Sequence, residues 1–226
     1  MNGIARRLGR PRVQRAPQRS VIGVPDFHRQ APLAGDGELI ARFCSELASV
    51  GAEAKIVHSP TEVERELRRV LAELRATRIV TWARSELAGW PLDFLWSELG
   101  ARAYLDATLP DERALKSALL DAEIGLTAVD FAIAGTGSLA LSAAAGRPRG
   151  VSLLPTVHVA LVRSSQLVAR LGEALEAYRA RADLPSAIHF ITGPSRTSDI
   201  ENDLTIGVHG PAALTVIVLD EGRQAS

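Results

Sequence analysis

A loop crowded with polar side chains lies near the carboxyl end of this 226-residue chain, and its residue types are suited to binding an anion. The loop begins where the apolar run 187–191 stops, and the pairs Gly193-Pro194 and Gly210-Pro211 bound it. Gly-Pro pairs are typical of tight turns. A plain connection does not need so many hydrogen-bonding groups, so the segment predicts a loop with a binding function. Its hydroxyl, guanidinium and carboxylate side chains belong to Thr192, Ser195, Arg196, Thr197, Ser198, Asp199 and Glu201.

The spacing of Ser198 and Glu201 also fits a helix capping box, in which each side chain bonds a backbone N–H of the first turn. Such a cap contributes about 1 kcal/mol and has no functional meaning by itself. A helix that began there would also favour an anion at its amino end by roughly 0.3–2 kcal/mol. Arg196 is suited to add a bidentate contact to a carboxylate or phosphate. The cap and the anion site are compatible, so both interpretations stay open.

A second glycine-containing turn, 135–138 (GTGS), joins the strand-like segments 129–134 and 138–142. Turns of this kind usually only connect the strands of a hairpin. The functional alternative is a small nest of backbone amides beside two hydroxyls. The turn does not match the G-x-G-x-x-G pattern of dinucleotide-binding sites, and the chain contains no Gly-Lys-Ser/Thr of a P-loop.

We expect the turn 135–138 and the loop 192–201 to converge on one pocket for a small carboxylate or phosphate. Both segments follow strand-like runs, and ligands of open α/β sheets usually bind at strand ends. The candidate anion-binding residues are Gly135, Thr136, Gly137, Ser138, Thr192, Gly193, Ser195, Arg196 and Thr197. The candidates for proton transfer, if the chain is catalytic, are Asp199, Glu201 and His209.

The cysteine and histidine content predicts no metal or cofactor in this chain. The single cysteine, Cys44, rules out an internal disulfide and a four-cysteine cluster site. The five histidines show no metal-ligand spacing such as H-x-x-x-H. His158 and His189 alternate within apolar runs, which is typical of core or interface histidines.

Charge is distributed unevenly along the chain, although the formal net charge is zero. Six arginines lie in the first 19 residues, before the first acidic residue, Asp26. Prolines are interspersed through this segment. We therefore predict that residues 1–37 form a basic, flexible arm. No aromatic side chains interleave with these arginines, which argues against a nucleic-acid site. The chain has no apolar run of 18 residues, so we expect a cytoplasmic protein without a membrane span.

Helical and strand patterns alternate through the first half of the chain, which favours a parallel sheet covered by helices. Helices are predicted over 38–50, from Ser59-Pro60-Thr61, from Pro91, over 111–122, and from Ser164 or Ser165 to Arg179. Strands are predicted at 54–57, 78–82, 101–105, 129–134, 138–142, 157–162, 187–191 and 214–219. The predicted class is α/β, with a mixed, mostly parallel sheet flanked by helices in one domain, residues 38–226.

Four segments resemble the LUD-domain family, and within it the lactate utilisation protein C branch. They are 134–139 (AGTGSL), 153–162 (LLPTVHVALV), 192–201 (TGPSRTSDIE) and 207–211 (GVHGP). The resemblance covers roughly residues 38–220. It implies the NagB/RpiA/CoA-transferase-like fold and a role in oxidising L-lactate to pyruvate. It also implies partner proteins, at least one of which carries iron–sulfur clusters. Many members of the family carry an acidic residue at the position of Gly135. This chain has glycine there and therefore lacks that carboxylate.

Three functions follow from these observations. The leading one is a non-redox subunit of a multi-protein L-lactate utilisation system, with iron–sulfur clusters only in the partners. It agrees with the residues, because lactate oxidation needs a two-electron acceptor and this chain has neither a flavin nor a nicotinamide fingerprint. The alternatives are a stand-alone enzyme of the isomerase or acyl/CoA transferase type and a carboxylate-binding regulatory module. Neither the residues nor the resemblance assigns a nucleophile, base or acid.

Overall fold

The computed structural model describes residues 36–106, 109–182, 185–198, 204–206 and 210–222. Only the backbone is described for Asp36, 196–198 and 204–206. The predicted arm, residues 1–37, lies almost wholly outside the described residues. The helices are α1 Asp36–Ser49, α2 Pro60–Glu73, α3 Asp93–Ser97, α4 Glu112–Asp121, α5 Gly150–Leu153 and α6 Leu171–Arg179, with 3₁₀ turns at Arg84–Leu87 and Ser164–Gln166. The strands are β1 Glu53–Val57, β2 Ile79–Thr81, β3 Arg102–Ala103, β4 Ile124–Ala128, β5 Phe131–Ile133, β6 Ser138–Ala143, β7 Val157–Arg163, β8 Leu167–Val168, β9 Ala187–Ile191, β10 Arg196–Ser198, β11 Leu204–Ile206 and β12 Ala213–Leu219.

Six strands form a parallel sheet in the order β1-β12-β7-β4-β2-β3. Its central strands are apolar and buried along nearly their whole length, as strands covered on both faces must be. The main hydrophobic core runs along this sheet, from Ile40 in α1 to Leu219 in β12.

A second sheet has the order β8-β5-β6-β9, and its central pair, β5 and β6, is antiparallel. β9 is also antiparallel to β6, whereas β8 is parallel to β5. A smaller core lies between β5, β6 and α6 and includes Ile133, Ala140, Ala174 and Tyr178. With the parallel sheet, this arrangement confirms the predicted α/β class with a mixed, mostly parallel sheet flanked by helices.

Local signals account for the start of the best-predicted helices. Ser59 precedes α2 in an extended conformation and accepts a hydrogen bond from the N–H of Glu62, while Pro60 occupies the first turn. Asp111 caps α4 in the same way through the N–H of Ala114. The apolar stripe of α2 is buried against the sheet at Val63, Leu67, Val70 and Leu71.

The long helix predicted from Ser164 or Ser165 to Arg179 is wrong in its first half. Residues 164–166 form a 3₁₀ turn, and Leu167–Val168 is a short strand that pairs with Ala132 and Ile133. The helix begins only at Leu171, which is 43% exposed. The sequence pattern also fails to predict β4, because its five residues are all buried and therefore show no alternation.

None of the helices in the described ranges is long and apolar enough to cross a membrane.

Candidate functional site

The glycine turn and the polar loop meet at one end of the four-stranded sheet. Leu139 in β6 pairs with Ile191 in β9, so the residues just outside this pair are neighbours. The hydroxyl of Ser138 lies 2.6 Å from that of Thr192, and Thr136 donates to Ser138 at 2.8 Å. These three hydroxyls form a chain that we call the hydroxyl cluster. Ser138 is buried, whereas Thr136 and Thr192 are exposed, so the buried hydroxyl lies between two that reach the surface.

Both glycine turns beside the hydroxyl cluster pack against the carboxyl end of α1. A Cβ on Gly137, which has φ +60°, would lie 2.4 Å from the backbone nitrogen of Leu47. A Cβ on Gly193, with φ +82°, would lie 2.9 Å from the carbonyl oxygen of Val50. Only glycine combines this conformation with such close approach. The glycines therefore have a packing role here.

The backbone amides of the first turn are partly used within the protein. The N–H of Gly135 donates to Ala169 at 3.0 Å, and that of Thr136 donates to Ile133 at 3.3 Å. The carboxyl end of a helix also carries partial negative charge, which disfavours an anion beside it. A ligand at this end of the sheet would therefore depend on the hydroxyls and on side chains of the loop rather than on a nest of amides.

The polar loop returns as a β-hairpin. Arg196, Thr197 and Ser198 form β10, which pairs antiparallel with β11, so Ser198 is a strand residue paired with Leu204. An extended backbone at Ser198 is also what a helix cap has, and residues 199–203, where the capped helix would lie, are outside the described residues, so the capping box stays a prediction. The loop is tied down by the N–H of Ser195, which donates to Pro211 at 2.8 Å. The side chains of Arg196 and Thr197, and the residues Asp199, Glu201 and His209, lie outside what the structure describes.

Two histidines, His158 in the core and the partly buried His189, each have one ring nitrogen without a partner among the described residues. His158 is 1% exposed, and its Nε2 lies 2.9 Å from the hydroxyl of Thr127. His189 Nε2 lies 3.0 Å from the hydroxyl of Ser152, which itself donates to the carbonyl of Arg149. A hydroxyl has one proton, so His189 must be the donor to Ser152. The Nδ1 atoms of both rings are buried and have no partner among the described residues.

Burial lowers the pKa of both imidazoles, so both are neutral at neutral pH. For His158, burial and the nearby His189 lower the pKa from 6.5 to about 3. For His189, burial and the charge of Arg149 lower the pKa against an opposing effect of Asp130. The expectation of core or interface histidines is confirmed for His158, which is in the core, whereas His189 is only partly buried.

The topology of the parallel sheet marks a crevice between β2 and β4. The connection from β2 leads outward to the edge strand β3, whereas the connection from β4 leads to β7 on the other side. Ligands of open parallel sheets bind where neighbouring strands send their connections in opposite directions, outside the carboxyl ends. Here those ends continue into Trp82 after β2 and Asp130 after β4.

A network of charged side chains joins the carboxyl ends of β2 and β4. The carboxylate of Asp130 is 5% exposed and accepts hydrogen bonds from the guanidinium groups of Arg147 at 3.2 Å and Arg181 at 3.1 Å. It also accepts from the hydroxyl of Tyr178 at 2.9 Å and from the N–H of Ser142 at 2.6 Å. Burial raises the pKa of Asp130, but the hydrogen bonds outweigh it and the net shift is downward. Asp130 is therefore a buried carboxylate that stays charged.

Arg147 links Asp130 to the turn that follows β2. Its Nε also pairs with Glu86 on the 3₁₀ turn 84–87, and its guanidinium carbon lies 5.4 Å from the centre of the Trp82 ring. Trp82 is 1% exposed, and its Nε1 has no hydrogen-bond partner among the described residues. We call Trp82, Glu86, Asp130 and Arg147 the crevice cluster.

Sequence reasoning missed the crevice cluster, since its members lie up to 65 positions apart. One signal was available in Asp130, a lone carboxylate between two apolar runs. A buried charge of this kind needs partners, although the sequence alone does not say which arginines supply them.

Comparisons with known proteins agree with this architecture. A family model described as the LUD domain matches residues 40–219. The chain is 31% identical over 230 aligned positions to lactate utilization protein C of Shouchella clausii, covering 98% of this chain and 96% of that protein. It is 38% identical over 104 residues to lactate utilization protein C of Bacillus subtilis, covering 44% of this chain and 43% of that protein. A crystal structure of a DUF162 family protein from Deinococcus radiodurans superposes with a TM-score of 0.61 at 25% identity, covering 82% of this chain and 98% of that one.

Proposed function

Because this chain belongs to the LUD domain family, we propose that it serves in lactate utilisation, as a subunit of a multi-protein system that oxidises L-lactate to pyruvate. One observation carries the proposal. The similarity to a lactate utilization protein C extends over 98% of this chain and 96% of the relative, so it concerns whole proteins and not a shared module.

The proposed role leaves the redox step to partner proteins. Oxidation of L-lactate to pyruvate removes two electrons and two protons, and the electrons need an acceptor. The sequence offers one cysteine and no dinucleotide fingerprint. The resemblance to the lactate utilisation branch implies partner proteins with iron–sulfur clusters, so we propose that these accept the electrons and that this chain handles a small carboxylate in the cytoplasm.

The hydroxyl cluster and the adjoining loop are the proposed place for that carboxylate. Thr136, Ser138 and Thr192 already converge there, and Ser195 lies in the same loop. Arg196 and Thr197 would add charge and a further hydroxyl, and Asp199, Glu201 or His209 would transfer a proton if chemistry occurs on this chain.

Deletion of the gene in its native host tests the function. We expect the deletion strain to lose growth on L-lactate as the sole carbon source and to keep normal growth on pyruvate. Pyruvate is the control because it enters metabolism after the oxidation step. A plasmid copy of the gene should restore growth on L-lactate.

Purification of the tagged chain from lactate-grown cells tests the partnership. We expect iron-containing proteins to accompany it, measured as iron per chain against an untagged control. Unimpaired growth of the deletion strain on L-lactate would contradict the proposed function. Purification without iron-containing partners would contradict the assignment of the redox step to partner proteins.

A further inference from the structure

We propose that the crevice between β2 and β4 is a second binding site, for a small monocarboxylate, with Arg147 as the binding group and Glu86 as an internal carboxylate that the ligand displaces. This site at the carboxyl edge of the parallel sheet is additional to the hydroxyl cluster, and the choice of L-lactate and pyruvate as its ligands rests on the proposed function. The hydroxyl cluster lies at the turn end of the β5–β6 hairpin, and Asp130 and Ser142 lie at its open end.

Arg147 is held ready for a planar anion. Its Nη1 donates to the buried carboxylate of Asp130, and this contact positions the guanidinium. Its Nε donates to Glu86, so three of its five N–H groups make no hydrogen bond found among the described residues. The fork of a guanidinium matches a carboxylate with two parallel hydrogen bonds.

Glu86 shows that a carboxylate fits against Arg147 in this crevice. The side chain of Glu86 is 26% exposed and that of Arg147 is 28% exposed, so both reach solvent at the same edge. A partly exposed ion pair contributes little to stability. A carboxylate from solution can therefore replace Glu86 at only a small cost in free energy.

The charges of the crevice favour a single negative charge. Glu86 and Asp130 together balance Arg147 and Arg181. Release of Glu86 leaves one positive charge in excess, which a monocarboxylate neutralises. A phosphate dianion carries more negative charge than this single excess positive charge can neutralise. It would also be repelled by the fixed negative charge of Asp130.

Isothermal titration of the full chain with L-lactate and with pyruvate tests the site, using Glu86→Gln as the informative variant. Removal of the competing charge should tighten binding about fivefold, which corresponds to about 1 kcal/mol. Arg147→Gln should weaken binding at least about tenfold. Inorganic phosphate and the uncharged methyl ester of L-lactate are the probes that should bind more weakly than L-lactate.

Arg84→Gln is the matched control variant. Arg84 lies at the same edge of the sheet, stacks on Trp96 at 4.7 Å and pairs with Asp106, so it shares the chemistry of Arg147 outside the crevice cluster. Its binding of L-lactate should stay within about twofold of the parent chain. Circular dichroism shows whether Arg147→Gln is folded. If it is not folded, the binding affinity of Glu86→Gln alone tests the site.

Equal or weaker binding of L-lactate by Glu86→Gln, or no binding at millimolar ligand, overturns the inference. Phosphate binding as tight as lactate binding overturns the ligand class. Loss of binding in a Ser138→Ala, Thr192→Ala double variant, with no effect of Glu86→Gln, would place the ligand at the hydroxyl cluster instead. Growth of the deletion strain on L-lactate is a separate measurement, so failure of the proposed function and failure of this site are distinguishable.

Discussion

At the scale of single residues, His158 makes the stability of the fold depend on pH. Burial lowers its pKa to about 3, whereas an unfolded chain binds the proton at about pH 6.5. Below pH 6.5 the unfolded state therefore binds more protons than the folded state. The contribution of His158 to stability is full above pH 6.5 and is lost as the pH falls toward 3.

We predict that His158→Gln flattens the acid limb of the stability curve. For each pH unit between 6.5 and 3, protonation of His158 should lower the free energy of unfolding of the parent chain by up to about 1.4 kcal/mol. The variant lacks this group and should not show this decrease. Urea unfolding at a series of pH values measures the difference. His58→Gln, which removes an imidazole with a side-chain exposure of 67%, is the control. A slope in His158→Gln equal to that of the parent chain would show that His158 is protonated in the folded state.

At the scale of elements, the two glycine turns fasten the four-stranded sheet to α1. Gly137 contacts the last turns of the helix at Glu46 and Leu47, and Gly193 contacts Val50 just beyond its end. The same turns hold the hydroxyls of Ser138 and Thr192 within 2.6 Å of each other. The geometry of the hydroxyl cluster thus depends on how closely the backbone approaches α1.

We predict that Gly137→Ala lowers the free energy of unfolding by at least about 2 kcal/mol. A left-handed conformation costs a residue with a Cβ about 1–3 kcal/mol, and the backbone of Leu47 leaves no room for the added atom. Gly172→Ala is the matched control, because its Cβ would meet nothing within 4 Å and it lies in α6, where alanine is favoured by up to about 1 kcal/mol. Equal stability of the two variants, measured by urea unfolding, would contradict the packing role of Gly137.

At the scale of the whole molecule, the core and the family match occupy the same part of the chain. Among the described residues the main core extends from Ile40 to Leu219, and the LUD domain model matches residues 40–219. The six arginines of the first 19 residues precede both. Stability of the fold should therefore depend on the chain that follows this basic segment.

We predict that removal of residues 1–32 changes the Tm by no more than about 2–4 °C, the shift that 1 kcal/mol produces in a domain of this size. Differential scanning calorimetry of the shortened and full chains measures it. A larger fall in Tm would mean that the basic segment contributes to the folded core. Loss of growth on L-lactate with an unchanged Tm would instead assign the segment to partner binding.

The sequence by itself determined the class of the fold and most of its elements. Ser59 with Pro60 and Asp111 mark helix starts, and the stripe of Val63, Leu67 and Val70 marks a buried face. These signals act over a few residues, so they can be recognised without knowledge of the tertiary contacts. The motifs at 153–162 and 192–201 likewise indicated the family, and the family model confirms it.

Only the tertiary structure decided which side chains meet. Residues 164–170 have a helical pattern, yet Leu167 and Val168 pair with β5, because an open strand edge outweighs a weak local preference. Asp130 finds Arg147 and Arg181 at separations of 17 and 51 residues, and His189 finds Ser152 at 37. Charge and hydrogen-bonding capacity can be read along a sequence, but the partner of a buried group depends on which strands become neighbours. That choice belongs to the sheet topology, which places the ends of β2 and β4 side by side.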